Sequence, residues 1–289
     1  MTLKWLSADG VRVDGPRGVL VERLTFASDG PHLAIVGGSS VLSSALAGLS
    51  PLARGALSID GAPVSEARRA NAIVHAPVDP RMPADWSPRQ WTVWSARLCG
   101  MSAADATAAA ANAIPRLGLA EWADKKLSTA PLAARRATSV AAALATGART
   151  IVFDDPTVGL PDDVSRKLGR VVAEALDDVR WVWLTGRIPL ASPLGLRVDD
   201  ALLLGEGGVL AQGSPAEIAS RDHVYTLRVS GPAQALAELA RTKGAVAAAK
   251  DRELTVDLAA SQTTHDLFVW AVEAGVTIVS LRPVADGVA

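Results

Sequence analysis

The most constraining feature of the sequence is a series of short apolar runs separated by stretches with helical periodicity. The runs are residues 33–36, 150–153, 181–184 and 201–204. Strands that are buried on both faces of a parallel sheet have this uninterrupted apolar character, because helices cover both faces. The alternation therefore predicts an α/β domain with a largely parallel sheet.

Residues 87–147 are mostly helical in pattern and rich in alanine. Ser87 followed by Pro88 is typical of a helix start, with serine as the N-cap and proline in the first turn. Gly100 and Gly118 are predicted helix ends.

The tail has a pattern of its own, and the 289 residues exceed the size of a typical domain of about 100–200 residues. Strand patterns at 224–229, 245–249, 254–258 and 276–281 alternate with helix patterns at 232–241 and 264–274. This β-α-β-β-α-β order is the split βαβ arrangement. We therefore predict a main domain over residues 1–221 and a small ferredoxin-like domain over residues 222–289.

Composition excludes several classes of protein. The net charge of -1 gives no electrostatic reason to bind nucleic acid. The single cysteine, Cys99, cannot form a disulfide within the chain, which is typical of a reducing compartment. No run reaches the roughly 18 apolar residues of a membrane-spanning helix. We expect a cytoplasmic protein that reaches a membrane only through a partner.

Several motifs occur in a specific order along the first part of the chain. A strand runs into Gly37-Gly38-Ser39-Ser40 and a helix, and Arg54-Gly55 and Ile59-Asp60-Gly61 follow. Phe153-Asp154-Asp155-Pro156 ends a later strand, and Gly213-Ser214-Pro215 precedes the last helix of this part. In this order, over roughly residues 3–220, the chain resembles the ATP-binding subunits of ABC transporters.

This resemblance implies an ABC-ATPase-like fold of the P-loop NTPase type, with a helical subdomain at about residues 86–135. The tail resembles the C-terminal extension of drug and polysaccharide exporter subunits, which implies an exporter of the ABC-2 type. The partners implied are a transmembrane permease and an ATPase subunit, either a different chain or a second copy. The location implied is the inner face of the cell membrane.

The phosphate-binding loop departs most from the family pattern. A working loop reads G-x-x-x-x-G-K-[ST], in which backbone N–H groups surround the phosphates, lysine balances their charge and the hydroxyl binds Mg²⁺. If Gly37 and Gly38 are the two glycines, the four spacer residues are missing and Ser39 stands in place of the lysine. Ser40 then either binds a metal or caps the following helix.

Other nucleotide-contacting positions of the family also differ. Val13 replaces the adenine-stacking tyrosine, Val78 the glutamine, Pro161 the D-loop aspartate and Gly186 the switch histidine. Residues 127–134, which match the signature loop, contain no glycine. These positions, together with Gly37, Gly38, Ser39 and Ser40, predict a vestigial nucleotide site.

Two carboxylates remain. Asp154 matches the residue that holds Mg²⁺, and Asp155 replaces the catalytic glutamate with a side chain that is one methylene shorter. Because a water must be oriented precisely for phosphoryl transfer, this change alone would slow hydrolysis. The alternative is that Asp154-Asp155-Pro156 simply caps a turn.

Three tryptophans, Trp86, Trp91 and Trp94, cluster at the start of the helical region. They are either core aromatics or a surface for the permease, where tryptophan suits burial of a partner helix. The histidines lack metal-ligand spacing, and Arg135-Arg136 is interpreted as a solvated helix face.

We therefore expect a catalytically degenerate ABC subunit with a structural or regulatory role. The alternatives are a weakly active ATPase that uses Asp154 and Asp155, and a scaffold unrelated to transport that reuses the fold. No cofactor is expected, and ATP with Mg²⁺ would bind in the millimolar range or not at all.

Overall fold

The computed structural model describes residues 4–15, 18–37, 40–186, 188–189, 192–205, 208–219, 224–259, 261–283 and 285–286. The strands are β1 (Leu6–Gly15), β2 (Gly18–Ser28), β3 (His32–Val36), β4 (Arg54–Ile59), β5 (Ala62–Pro63), β6 (Ile73–Ala76), β7 (Thr150–Asp154), β8 (Arg180–Thr185), β9 (Ile188–Pro189), β10 (Asp200–Gly205), β11 (Gly208–Gly213), β12 (Val224–Val229), β13 (Val246–Lys250), β14 (Glu253–Asp257), β15 (Ile278–Pro283) and β16 (Ala285–Asp286). The α-helices are α1 (Ser40–Leu46), α2 (Val64–Arg69), α3 (Pro88–Leu98), α4 (Ala103–Arg116), α5 (Leu132–Ala145), α6 (Asp162–Ala175), α7 (Pro215–Ala219), α8 (Gln234–Thr242) and α9 (Thr264–Glu273).

The central sheet has the order β11-β10-β3-β8-β7-β6. Every pair from β10 to β6 is parallel, and β11 is added antiparallel at one edge. The predicted parallel sheet is confirmed. Because neighbouring parallel strands point the same way, the carboxyl ends of β3, β7 and β8 meet at one edge of the sheet.

Successive residues of the central strands enter two different cores. Val36, Phe153 and Trp183 pack with α3 to α6 on one face of the sheet. Ile35 and Val182 pack on the opposite face with α1 and with an antiparallel sheet of order β2-β1-β4-β5. This double burial explains why the strands are apolar at every position.

The helical region begins at the predicted residue. The Ser87 hydroxyl accepts a hydrogen bond from the N–H of Gln90, whose side chain in turn accepts from the N–H of Ser87, and Pro88 opens α3. Gly100 and Gly118 follow α3 and α4 with φ of 92° and 65°, a conformation that suits glycine at a helix end. The third helix, α5, continues to Ala145.

The tail forms β12-α8-β13-β14-α9-β15, which confirms the predicted β-α-β-β-α-β order. Its four strands form a separate antiparallel sheet of order β13-β14-β12-β15. Helices α8 and α9 cover one face of this sheet through a core that includes Leu227, Leu254 and Trp270. Residues 220–223 lie outside the described part of the chain, so the boundary at residues 221 and 222 stays a prediction.

In the described part of the chain, no helix combines the length and the hydropathy that are needed to cross a lipid bilayer.

Candidate functional site

The retained motifs converge on the carboxyl-end edge of the central sheet. Gly37 follows β3, Asp154 and Asp155 lie at the end of β7, and Thr185 ends β8. This edge is where open α/β sheets bind their ligands. The three segments come together because β8 lies between β3 and β7 in the sheet.

The glycine turn is tied to the neighbouring strand. The N–H of Gly37 donates to the carbonyl oxygen of Thr185 at 3.1 Å, so it is not free to bind a phosphate oxygen. Gly37 has a φ of 86°, and a Cβ there would lie 3.0 Å from the carbonyl oxygen of Leu204. The turn therefore requires glycine for conformation and for close packing.

The other members of the predicted phosphate loop are only partly described. Gly38 and Ser39 lie outside the described residues. Ser40 is the first residue of α1, which has only 7 residues, and its side chain is not described. The choice between metal binding and helix capping for Ser40 therefore stays a prediction.

Asp155 stabilises the turn that follows β7. One carboxylate oxygen accepts from the N–H and the hydroxyl of Thr157, at 2.8 and 2.7 Å. The other accepts from the hydroxyl of Thr185 at 2.9 Å. These contacts are those of an aspartate that caps a turn, which is the alternative that the sequence left open. Each oxygen of the Asp155 carboxylate thus accepts at least one hydrogen bond from a neighbouring residue.

Asp154 is held inside the protein. Its residue is 9% exposed, and its Oδ2 lies 3.7 Å from Nε2 of His75. Burial acts to raise the pKa of Asp154, but the imidazole of His75, the hydroxyl of Ser43 and the N–H of Val78 stabilise the carboxylate by more, so its pKa lies below the usual range. Neither Oδ2 of Asp154 nor Nε2 of His75 has a hydrogen-bond partner among the described residues.

Other residues that the resemblance matches to nucleotide contacts lie in the core, before helices or at exposed positions. Val13 is 1% exposed and belongs to the core, so its side chain cannot stack on a base. Pro161, predicted to match the D-loop aspartate, is the residue before α6. Pro131, within the segment predicted to match the signature loop, is the residue before α5. Neither proline caps its helix with a side-chain hydrogen bond. A Cβ on Gly186, the residue predicted to match the switch histidine, would meet no described atom within 4 Å.

Arg136 is not solvated, which corrects the interpretation of Arg135-Arg136 as an exposed helix face. The residue is 6% exposed. Its guanidinium donates to the Asp79 carboxylate at 3.3 Å and to the carbonyl oxygens of Pro156 and Val158 at 3.2 and 2.5 Å. Arg136 thus joins α5, the loop after β6 and the turn after β7, whereas Arg135 remains exposed.

Trp86, Trp91 and Trp94 form one aromatic cluster. Their ring centroids are 6.2, 5.7 and 5.1 Å apart. Trp94 is 41% exposed and Leu98, one turn further along α3, is 66% exposed. The cluster therefore presents apolar surface to solvent and is not a closed core.

A cleft of about 410 Å³ lies beside this cluster, and its walls include Val78, Pro80, Met82 and Leu127. The N–H of Leu127 donates to the carbonyl oxygen of Trp86 at 2.7 Å, which joins the cleft wall to the cluster.

Sequence reasoning missed three contributors to this site: His75, Ser43 and Arg136. His75 and Ser43 carried no signal, because a lone histidine in a strand and a serine in a helix fit no motif. In the described part of the chain, no group of three or more metal-ligating side chains occurs. Arg136 could have been distinguished from Arg135 by the helical period, which places it on the apolar side of α5.

Comparisons with known proteins agree with this architecture. No family model matches the sequence. A curated protein of Streptomyces coelicolor that carries the name of an ABC transporter ATP-binding protein is 26% identical over 235 residues, covering 72% of this chain and 87% of that protein.

Solved structures of low sequence identity share the fold. CbiO1 from Clostridium perfringens, part of the ABC transporter complex cbiONQ, has a TM-score of 0.64 at 19% identity and covers 76% of this chain and 92% of its own. MJ1267 in its ADP conformation, an ATP-binding cassette of an ABC transporter, has a TM-score of 0.61 at 15% identity and covers 74% and 92%. The chain therefore has the α/β fold of ABC transporter ATP-binding subunits.

Proposed function

We propose that this chain is a catalytically degenerate ABC transporter subunit that serves as a structural or regulatory partner of a membrane permease. The observation that carries the proposal is the glycine turn, whose Gly37 N–H is bound to the carbonyl oxygen of Thr185. A triphosphate needs several free backbone N–H groups and a cation at this place. The turn is four residues shorter than the family loop, and no lysine or arginine occurs between it and Arg54.

The carboxylates support the same proposal. Asp155 accepts three hydrogen bonds from Thr157 and Thr185. These bonds fix the Asp155 carboxylate to the turn after β7 and to the end of β8. Asp154 is buried beside His75, whose Nε2 lies 3.7 Å from Oδ2 of Asp154. Both groups therefore have structural partners that do not depend on Mg²⁺ or on nucleotide.

A transport role for the chain rests on its fold and on the aromatic cluster. We propose that Trp86, Trp91 and Trp94, together with the neighbouring cleft of about 410 Å³, contact a helix of the permease. Partly exposed tryptophans are characteristic of surfaces that become buried in a partner. The protein would lie on the inner face of the membrane, alongside an ATPase subunit or a second copy of itself.

Steady-state ATP hydrolysis tests the loss of catalysis. Purified wild-type protein is compared with Asp155→Asn and with the matched control Asp163→Asn, an exposed aspartate in the first turn of α6. All three proteins are expected to show only background hydrolysis of Mg-ATP. Hydrolysis by the wild type that Asp155→Asn removes and Asp163→Asn keeps would identify a weakly active ATPase instead.

Affinity purification from detergent-solubilised membranes tests the partner. We expect wild-type protein to capture a multi-spanning membrane protein, and Trp94→Ala to lose it with an unchanged melting temperature. Phe268→Ala is the control, because Phe268 is an exposed aromatic on α9 that is 48% exposed. Failure to capture any membrane subunit would favour a scaffold that has no role in transport.

A further inference from the structure

A larger cleft, of about 640 Å³, separates the carboxyl-end edge of the central sheet from the small C-terminal sheet. Its floor includes Gly37, Thr157 and Gly186, and its opposite wall is formed by β12, β13, β14 and β15. Ligand sites occur preferentially at such junctions between domains, and this volume is typical of a small-molecule site.

One face of the small sheet forms the wall of this cleft, and we call it the roof face. Side chains alternate along strands, so the residues that point away from α8 and α9 point into the cleft. The roof face includes Ala248 and Glu253 and the polar residues Thr226, Arg228, Lys250, Thr255, Ser280 and Arg282.

The polar side chains of the roof face have no partner among the residues that the structure describes. In the part of the chain that the structure describes, none of its arginines and lysine is within ion-pair distance of a carboxylate, and none of its hydroxyls forms a hydrogen bond. An interface that only held two domains together would pair such groups or exclude them. Convergent, unpaired polar groups around a cleft are typical of a binding site.

Carboxylates also line the cleft, but they do not neutralise the roof face. Asp155 is already bound to Thr157 and Thr185. Asp162 contributes from the first turn of α6. Glu253 lies opposite both Arg228 and Lys250 in the strand register, without an ion pair to either. Among the charged residues that the small sheet contributes to the cleft, three cations and one carboxylate leave two excess positive charges.

We propose that the roof face binds a small phosphate-bearing anion through Arg228, Lys250 and Arg282. The arginine fork matches the oxygens of a phosphate, and the three hydroxyls are further donors between the cations. Because these groups belong to strands of one sheet, they are held on a rigid support.

This site differs from the nucleotide site of the fold in the source of its charge. The cations come from the C-terminal sheet and not from the glycine turn. The buried Val13 offers no surface for a base. Recognition is therefore of the phosphate group itself, and it requires neither Mg²⁺ nor adenosine.

Calorimetric titration with sodium pyrophosphate at low ionic strength, without Mg²⁺, tests the proposal. The 289-residue chain is expected to bind one equivalent of pyrophosphate. Arg228→Gln and Arg282→Gln are each expected to weaken binding about tenfold, the loss of one charge-assisted contact. The control Arg252→Gln removes the same charge from the exposed turn between β13 and β14, outside the cleft, and is expected to leave the Kd unchanged.

Glu253→Gln is expected to change the affinity for pyrophosphate in the opposite direction. Removal of the Glu253 carboxylate is expected to tighten pyrophosphate binding severalfold, because the bound anion is no longer repelled by a neighbouring negative charge. No binding by the wild type would overturn the proposal, and so would equal losses in Arg228→Gln and Arg252→Gln. The result is independent of ATP hydrolysis and of permease capture, so this proposal and the proposed function can fail separately.

Discussion

Replacement of Arg136 by methionine is expected to destabilise the protein substantially, although the arginine lies next to an exposed one. The substitution keeps an unbranched side chain of similar length and removes the guanidinium. The carbonyl oxygens of Pro156 and Val158 lose their donor, and Asp79 loses its cation.

The magnitude follows from the burial of each partner. A buried acceptor that is left without its donor costs about 1–3 kcal/mol, and the Arg136–Pro156 hydrogen bond is buried. The Val158 oxygen is partly buried and contributes less. The Asp79 side chain is 55% exposed, so the ion pair contributes below about 1 kcal/mol. The sum is about 3 kcal/mol, or a decrease in Tm of about 6–12 °C for a chain of this size.

Thermal and urea unfolding followed by far-UV circular dichroism measures this loss, with Arg135→Met as the matched control. Arg135 is exposed, so its substitution is expected to change stability by less than about 0.5 kcal/mol. Equal stabilities of the two variants would refute the argument that Arg136 joins the turn after β7 to α5.

Two further predictions concern the site. Gly37→Ala is expected to destabilise the protein by about 1 kcal/mol more than Gly61→Ala. Both glycines have φ above 80°, but only a Cβ at residue 37 would press on the carbonyl oxygen of Leu204. Urea unfolding of both variants measures the difference. The pKa of Asp154 is lower in the folded protein than its value of about 3.9 in the unfolded chain. The ionised carboxylate therefore stabilises the fold fully at pH values above about 3.9, and this contribution is lost as the pH falls through the pKa of the folded protein. Asp154→Asn should therefore be less stable than the wild type at neutral pH, and the deficit should shrink in acid; a deficit that is constant with pH would contradict this.

Sequence reasoning predicted the fold well, because its signals are local. Uninterrupted apolar strands and capping residues such as Ser87 depend on neighbours in the chain, and the structure has the sheet, the helices and the β-α-β-β-α-β tail as predicted. The order of motifs then restricted the architecture to one arrangement.

The site was less predictable, because its contacts join residues that are far apart in sequence. His75 approaches Asp154 across 79 positions, and Arg136 reaches Pro156 across 20. No motif encodes these pairs, since each depends on which strands are adjacent. The position of the small sheet opposite the carboxyl-end edge of the central sheet likewise has no sequence signal, and the roof face depends on that position.

The central claim is that the glycine turn cannot hold a triphosphate, and calorimetric titration with Mg-ATP tests it most directly. The titration is best performed on the double variant Arg228→Gln, Arg282→Gln, so that the roof face does not contribute heat. The account predicts no binding, or a Kd weaker than about 1 mM. A micromolar Kd for Mg-ATP in this variant would contradict the account, because it would require an intact phosphate site at Gly37.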